Sequence, residues 1–227
     1  TDIPMEKILG MDQPFHYRNK AQFPVGKSKD GRIITGFYAG RTHSIIENRD
    51  CALGVTRNKE VLDRVIAHME KFHIQPYDEN TGKGVVRHVL IRYGFFTDEM
   101  MVCLIINGEN LPGEEALVKS LRQIPEAVSV MVNVNKKRNN VILGEKVRLL
   151  WGQPYITDKI GEISYQISPL SFFQVNPYQT GRLYGKALEY AQLSGNETVW
   201  DLYCGIGTIS LFLAQKAKMV STCKQLS

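Results

Sequence analysis

The stretch that decides the fold is residues 199–208, VWDLYCGIGT. The apolar residues of 197–202 predict a short buried strand that leads to Asp201, and Gly205 and Gly207 then precede an apolar run typical of a helix. Glycines between a strand and a helix let a ligand approach the backbone, close to helix N–H groups that favour negative charge. The stretch therefore predicts the glycine turn of a parallel α/β sheet.

The spacing of the glycines in this turn indicates which class of ligand it binds. The dinucleotide fingerprint has a third glycine three residues after the second, and this chain has Ser210 there. An acidic residue at the end of the strand, followed by Gly-x-Gly, fits the S-adenosylmethionine (SAM) loop of Rossmann-like methyltransferases better than an NAD site. A purely structural turn is the alternative.

The helix before the turn has a clear start signal. Asn176 suits the N-cap, Pro177 suits the first helical position, and Gln179 completes a capping box. The helix is predicted to end near Gly195, because glycine adopts the left-handed conformation that terminates helices.

The residues before this helix follow a different pattern. Amphipathic helices are predicted at 58–72 and 114–123, and strands at 17–25, 32–38, 85–96, 100–107, 127–134, 141–151 and 160–167. Short turns favour antiparallel pairing between these strands. The chain is therefore predicted to be an α+β domain over residues 1–168, followed by the start of an α/β Rossmann-like domain over residues 169–227.

Composition excludes several classes of protein. The chain has 227 residues, 43% hydrophobic and 22% charged, which are ordinary globular values. No apolar run approaches the ~18 residues of a membrane helix, and the first residues carry no secretory signal pattern. Four widely spaced cysteines without a Cys-x-x-Cys pair predict free thiols and a cytoplasmic protein, with an oxidised protein as the alternative.

Positive charge is concentrated in two segments. Residues 16–41 carry six cations against one anion, and a second basic cluster covers residues 136–148. Aromatic residues lie among the first group of cations, an arrangement that suits unpaired RNA bases better than duplex grooves. A solvated basic face with its aromatic residues turned into the core is the alternative.

Two strings make the family resemblance specific. They are FFQVNP at 172–177 and DLYCGIGT at 201–208, which together resemble the RNA (uracil-5-)-methyltransferase family of the RumA/TrmA type. The YRNK string at 17–20, the strand at 87–92 and the Trp-Gly step at 151–152 are similar to the central domain of its ribosomal-RNA branch. The resemblance covers nearly the whole chain and makes residues 1–168 a central RNA-binding domain.

The resemblance implies roles for individual residues. Gln174 and Tyr203 are expected to contact SAM, and Gly205 and Gly207 to form the loop beneath it. Thr208 is a further candidate contact, whereas Asp201 is expected to shape the loop. Arg18 and Lys20 are expected to bind RNA. Phe172 is expected to lie beside the RNA, or else to be a core residue at the domain interface.

Cys51 resembles the fourth ligand of a [4Fe–4S] cluster that the ribosomal branch often carries. Such clusters are held by four thiolates, and the other three are expected upstream of Thr1. A cluster is therefore expected only in an intact protein.

The resemblance implies methylation of carbon 5 of a uridine in 23S ribosomal RNA with SAM as methyl donor. A thiolate adds to carbon 6 of uracil, and a general base later removes the proton from carbon 5. The nucleophilic Cys and the base Glu are expected C-terminal to Ser227, so these 227 residues alone are predicted to be an inactive fragment. After Val220 an acidic residue for the SAM ribose is expected, and the tail offers Lys224 instead.

Two other functions are open. One is a non-catalytic RNA-binding module with a vestigial methyltransferase start, and the other is a tRNA uracil-5-methyltransferase. RNA is the expected partner in every case, without DNA or a membrane.

Overall fold

A computed structural model describes residue 3 and residues 5–223. The elements are β1 (Lys20–Lys27), β2 (Ile33–Tyr38), β3 (Ile45–Glu47), α1 (Arg57–Lys71), β4 (Val86–Gly94), β5 (Glu99–Ile106), α2 (Glu114–Leu121), β6 (Ala127–Val134), β7 (Lys146–Gly152), β8 (Ile156–Ile160), β9 (Ile163–Ile167), α3 (Pro177–Ala191), β10 (Thr198–Asp201), α4 (Thr208–Ala214) and β11 (Met219–Thr222). Lys224 lies outside the described residues.

Seven strands form one mixed sheet in the order β3-β2-β1-β4-β5-β6-β7. Neighbouring strands pair antiparallel except β5 and β6, which are parallel. The prediction of antiparallel pairing is wrong for this pair, because α2 carries the chain back across the sheet so that β6 runs in the same direction as β5. Such a helical crossover is how parallel neighbours are connected.

The first face of the sheet is covered by α1 and α2. Apolar residues at helical spacing on α1, such as Val61, Val65 and Met69, pack against alternate sheet residues such as Val89 and Leu104. This face holds the larger hydrophobic core.

The second face of the sheet is covered by the β8–β9 hairpin and by α3 and α4. Leu90 and Met101 of the sheet share a buried cluster with Tyr165 of β9, Phe173 and Tyr184. This core combines residues from both sides of position 168. The domain boundary drawn at that position stays a prediction.

The segment after α3 departs from the sequence prediction. The helix ends at Ala191 with Gln192 in the left-handed conformation, φ 48° and ψ 41°, three residues before Gly195. The physical reason is Glu197, whose carboxylate accepts hydrogen bonds from the backbone N–H groups of Ser194, Gly195 and Asn196 and turns the loop around itself. A hydrogen bond from the Ser194 hydroxyl, with smaller contributions from backbone N–H groups, lowers the pKa of Glu197 to about 2.

β10 and β11 pair in parallel, as the glycine turn predicts. β10 is not buried along its length, however, because Trp200 is exposed and only the alternate residues Val199 and Asp201 are partly covered. None of the helices in the described residues combines the length and apolar character that a membrane crossing requires.

Candidate functional site

The glycine turn forms one continuous loop between β10 and α4. Gly205 and Gly207 both have positive φ, 55° and 83°, and Gly207 caps the N-terminus of α4. The N–H of Gly207 donates to the carbonyl oxygen of Cys204 at 2.7 Å. These φ values favour glycine over any residue with a side chain, so the sequence forms this turn for a local backbone reason.

Asp201 holds the loop from inside. Its carboxylate accepts hydrogen bonds from the backbone N–H of Tyr203, at 3.1 Å, and from the hydroxyl of Ser210. The residue that replaces the third glycine of the dinucleotide fingerprint therefore anchors this carboxylate.

The outer side of the loop is open. The ring of Tyr203 is 87% exposed, and a Cβ placed on Gly205 would meet no atom within 4 Å. A flat exposed ring next to accessible backbone fits a cofactor such as SAM. Thr208 faces the other way, because its hydroxyl bonds Tyr184 at 2.8 Å in the interior and its carbonyl accepts from Tyr165.

The 172–176 segment places alternate residues on opposite sides. Phe172 is 70% exposed, whereas Phe173 is buried against Tyr165 with ring centroids 5.9 Å apart. Phe173 and not Phe172 is therefore the core residue. The segment reaches the glycine turn through this contact, since Tyr165 in turn bonds the carbonyl of Thr208 at 2.9 Å.

Gln174 is held by its backbone. Its carbonyl oxygen accepts from Nδ2 of Asn19 at 2.8 Å, and the residue lines a cavity of about 370 Å³ with Leu9, Thr180 and Leu183. Only half of the predicted capping box forms: Asn176 accepts from the N–H of Gln179, but the Gln179 side chain donates to the carbonyl of Leu9.

A buried arginine fixes the other side of the segment. Arg92 is 2% exposed, and its guanidinium donates to the carbonyl oxygens of Pro169 and Ser171. Burial lowers the pKa of Arg92 to about 10. Neither Arg92 nor Asn19 is among the predicted site residues. For Arg92 one signal is visible in the sequence, because it places a cation inside the apolar run of β4.

Arg18 and Lys20 lie together at a second cavity, of about 530 Å³, which Phe37 and Cys51 also line. Lys20 is half-buried, and this burial lowers its pKa, with a smaller effect from the charges of Arg92 and Arg18. No acidic residue lines this cavity within the described part of the chain. The surroundings of Lys20 would therefore favour an anion.

Cys51 lies at the same cavity, and residues 3 and 5–223 contain no group of three or more His, Cys, Asp or Glu side chains that could hold a metal ion. One thiolate does not fit an iron–sulfur cluster. All four cysteines are free thiols. Cys103 is buried in the core, which raises its pKa to about 12, and Cys204 is a loop residue whose thiol lies near backbone carbonyls.

The second basic cluster is partly compensated by its neighbours, since its five cations face three carboxylates and Arg138 donates to the carbonyl of Thr81 instead. Lys136 and Lys146 both pair with Glu109 at 2.7 Å, Lys137 pairs with Glu145, and Arg148 pairs with Glu114. The Arg18–Lys20 cavity differs from this cluster, because no carboxylate of the described residues lines it.

Comparisons with known proteins agree with this geometry. No protein-family model matches the chain. It is 48% identical over 220 residues to an uncharacterized RNA methyltransferase of Oceanobacillus iheyensis, covering 96% of this chain and 48% of that protein. It is 49% identical over 221 residues to a protein of the same description from Halalkalibacterium halodurans, covering 97% and 48%. The chain thus spans about half the length of the curated relatives it matches.

Among solved structures, the chain resembles the Pyrococcus abyssi tRNA (uracil-54, C5)-methyltransferase in complex with S-adenosyl-L-homocysteine. The TM-score is 0.75 at 27% identity, over 90% of this chain and 47% of that one. This structural similarity supports a Rossmann-like methyltransferase fold. The curated relatives show that the chain is similar in sequence to proteins described as RNA methyltransferases.

Proposed function

We propose that the protein containing this chain transfers a methyl group from SAM to carbon 5 of a uridine in RNA. The observation that carries this proposal is the structural likeness to a uracil-C5 methyltransferase. The geometry of the chain supports it, because the 172–176 segment, which carries Gln174, connects through the Phe173–Tyr165 contact to the glycine turn.

The residues of this chain have distinct tasks in such a reaction. Bound SAM supplies an electrophilic methyl group. The open backbone at Gly205 and Gly207 leaves room for it, and the exposed ring of Tyr203 offers a flat contact surface. Gln174 is proposed to bind it through its side chain, while Asp201 keeps the turn in shape through Tyr203 and Ser210.

On the RNA side, Phe172 presents an exposed aromatic face, and Arg18 and Lys20 offer uncompensated positive charge. Aromatic faces bind unpaired bases, and clustered cations bind phosphates. A flipped-out uridine is therefore the proposed substrate. The nucleophilic Cys and the base Glu are proposed to lie outside these 227 residues, and no step is assigned to an iron–sulfur cluster, because Cys51 alone does not fit one.

Two RNA classes are proposed as substrate. Ribosomal RNA, in particular 23S rRNA, follows from the resemblance of residues 17–20, 87–92 and 151–152 to the ribosomal branch. Transfer RNA is about equally supported, because the structural neighbour acts on uracil 54 of tRNA.

The test uses the full-length gene product that contains this sequence. Transcripts of 23S rRNA and of tRNA are made with tritium at carbon 5 of uracil, and tritium release is followed with and without SAM. SAM-dependent release from one transcript supports the proposal and identifies the RNA class. RNA binding without release from either transcript would overturn it in favour of a non-catalytic RNA-binding module.

A further inference from the structure

A cavity lined by aromatic residues lies apart from the site described above. It has a volume of about 370 Å³ and is formed by residues 11–17, the β4–β5 turn and the first turns of α3. Its aromatic lining residues are Phe15, Tyr17, Phe95 and Tyr178. We call it the aromatic cavity. None of the residues assigned to SAM or to the target uridine lines it.

The rings of the aromatic cavity are arranged edge to face. Tyr178 meets Phe95 with ring centroids 5.7 Å apart and an interplanar angle of 63°, and meets Phe96 at 5.9 Å and 62°. Of the lining rings, Phe15 and Tyr178 are 57% and 50% exposed. Because the rings do not stack on one another, flat faces stay available to a planar ligand.

The charged side chains that line the cavity form an ion pair, since Asp12 and Arg182 both line it. Arg182 lines it with its guanidinium held in place by the Asp12 carboxylate at 2.8 Å and by the carbonyl of Gly10. Gln13 also lines the cavity, and its side chain has no hydrogen-bond partner within residues 5–223. Aromatic walls with a few fixed polar groups are typical of sites for small planar ligands.

The aromatic cavity and the Arg18–Lys20 cavity share no lining residue among the described residues but are lined by adjacent residues of the chain, and the His16 ring at the first bonds the carbonyl of Gly54 at the second, at 2.8 Å. His16 and Tyr17 line the first, and Arg18 and Lys20 line the second. A polyanion held by these cations would lie next to the aromatic faces. A single-stranded nucleic acid matches both halves, since it combines phosphates with flat apolar bases.

We propose that the aromatic cavity binds one unpaired base of the RNA substrate, a base other than the uridine that is methylated. This inference rests on the proposed function for the identity of the RNA. Arg18 and Lys20 hold the adjoining phosphates, and Phe15 and Tyr178 stack on the base. The cavity thereby recognises an unpaired nucleotide near the target, and so favours looped over base-paired RNA.

The first test measures RNA affinity in the full-length gene product. The probe is a fluorescein-labelled single-stranded 20-mer RNA of mixed sequence, and the variants are Phe15→Leu and Tyr178→Leu. Each is expected to raise Kd roughly 10- to 100-fold, with an unchanged salt slope because no phosphate contact is lost. Tyr178→Phe keeps the ring and is expected to bind within two-fold of the wild type.

A matched control uses the same helix. Tyr190 on α3 is also exposed but lies outside the aromatic cavity, so Tyr190→Leu is expected to leave Kd unchanged. If Phe15→Leu and Tyr178→Leu bind like Tyr190→Leu, the proposal is overturned, and an apolar protein segment becomes the better occupant.

Photo-crosslinking identifies the contact directly. The same 20-mer with 4-thiouridine is expected to crosslink to peptides containing Phe15 or Tyr178, and crosslinks confined to other peptides would overturn the proposal. Tritium release by the same variants separates the two hypotheses. If Phe15→Leu and Tyr178→Leu lose RNA affinity but the wild type releases no tritium, the base-binding cavity is supported and the proposed methylation is rejected. If the wild type releases tritium but the two leucine variants bind RNA with unchanged affinity, the methylation is supported and the base-binding cavity is rejected.

Discussion

Nδ2 of Asn19 donates to the carbonyl oxygen of Gln174 at 2.8 Å, across 155 residues of sequence. The backbone N–H of Asn19 also donates to the carbonyl of Val175, and its own carbonyl accepts from Tyr93 in β4. Asn19 therefore joins the central sheet to the segment proposed to contact SAM. The neighbouring Arg18 and Lys20 are the residues proposed to hold RNA, so this asparagine connects the proposed RNA contacts to the proposed cofactor contact.

Replacing Asn19 tests this connection. Asn19→Ala leaves the partly buried carbonyl of Gln174 without its donor, which is expected to lower the free energy of unfolding by about 1–3 kcal/mol. Urea unfolding measures this change. The KM for SAM is expected to rise more than the KM for RNA, because the backbone at Gln174 is released. Asn110→Ala, on an exposed loop, is the control that should change neither quantity.

Arg92 is expected to be the more sensitive of the two anchors. Arg92→Met keeps the length of the side chain but leaves the carbonyls of Pro169 and Ser171 unpaired, at a cost of about 2–3 kcal/mol in unfolding free energy. Arg92→Lys keeps one charged donor and should recover part of that loss. Lys119→Met, on the exposed face of α2, serves as control. Equal stability of Arg92→Met and the wild type would contradict the anchoring role.

The sequence predicts those features that depend on local signals. α1 follows from its apolar spacing, the β4–β5 pair from two apolar runs around a short turn, and the start of α3 from Asn176 and Pro177. The parallel placement of β6 and the end of α3 at Ala191 could not be predicted in this way. The direction of β6 depends on where α2 packs. The end of α3 depends on which backbone N–H groups donate hydrogen bonds to the Glu197 carboxylate.

In the candidate site, too, features set by local sequence could be predicted and features set by distant contacts could not. The glycine turn is recognisable from its spacing, because its backbone angles favour glycine. The contacts of Arg92 with Pro169 and Ser171 span more than 75 residues, so no local pattern encodes them. Likewise, three of the five cations at 136–148 pair with Glu109 or Glu114, which precede the cluster in the chain.

His88 is expected to make stability depend on pH. Burial, with a smaller effect from the charge of Arg87, lowers its pKa from 6.5 to about 4, and neither ring nitrogen has a hydrogen-bond partner among the described residues. Between pH 6.5 and 4 the unfolded chain binds a proton at this residue that the folded chain does not. The free energy of unfolding therefore falls as the pH falls through this window, by about 3 kcal/mol in total.

His88→Phe removes this titration and is expected to flatten the difference in unfolding free energy between pH 7 and pH 4.5. His73→Gln, at an exposed histidine, should leave the slope of the wild type intact. An unchanged slope in His88→Phe would show that other groups cause the pH dependence.

The charge at the Arg18–Lys20 cavity is expected to dominate RNA affinity. The double variant Arg18→Glu/Lys20→Glu removes two cations that face no acidic residue at that cavity. Its Kd for single-stranded RNA is expected to rise at least ten-fold at 50 mM salt. The slope of log Kd against log salt is expected to fall by about 1.4, because the two lost phosphate contacts each release about 0.7 fewer counterions from single-stranded RNA.

The matched control places the same charge change elsewhere. Lys71→Glu/Lys119→Glu reverses two exposed lysines in the helical layer, which covers the first face of the sheet. A general effect of net charge would weaken RNA binding equally in both double variants. A specific RNA contact at the Arg18–Lys20 cavity weakens it only in the first, because a phosphate at ordinary salt is screened beyond a distance of about 8–10 Å from a surface charge. Equal salt slopes in the two variants would therefore reject Arg18 and Lys20 as the phosphate contacts and leave them as a solvated basic face.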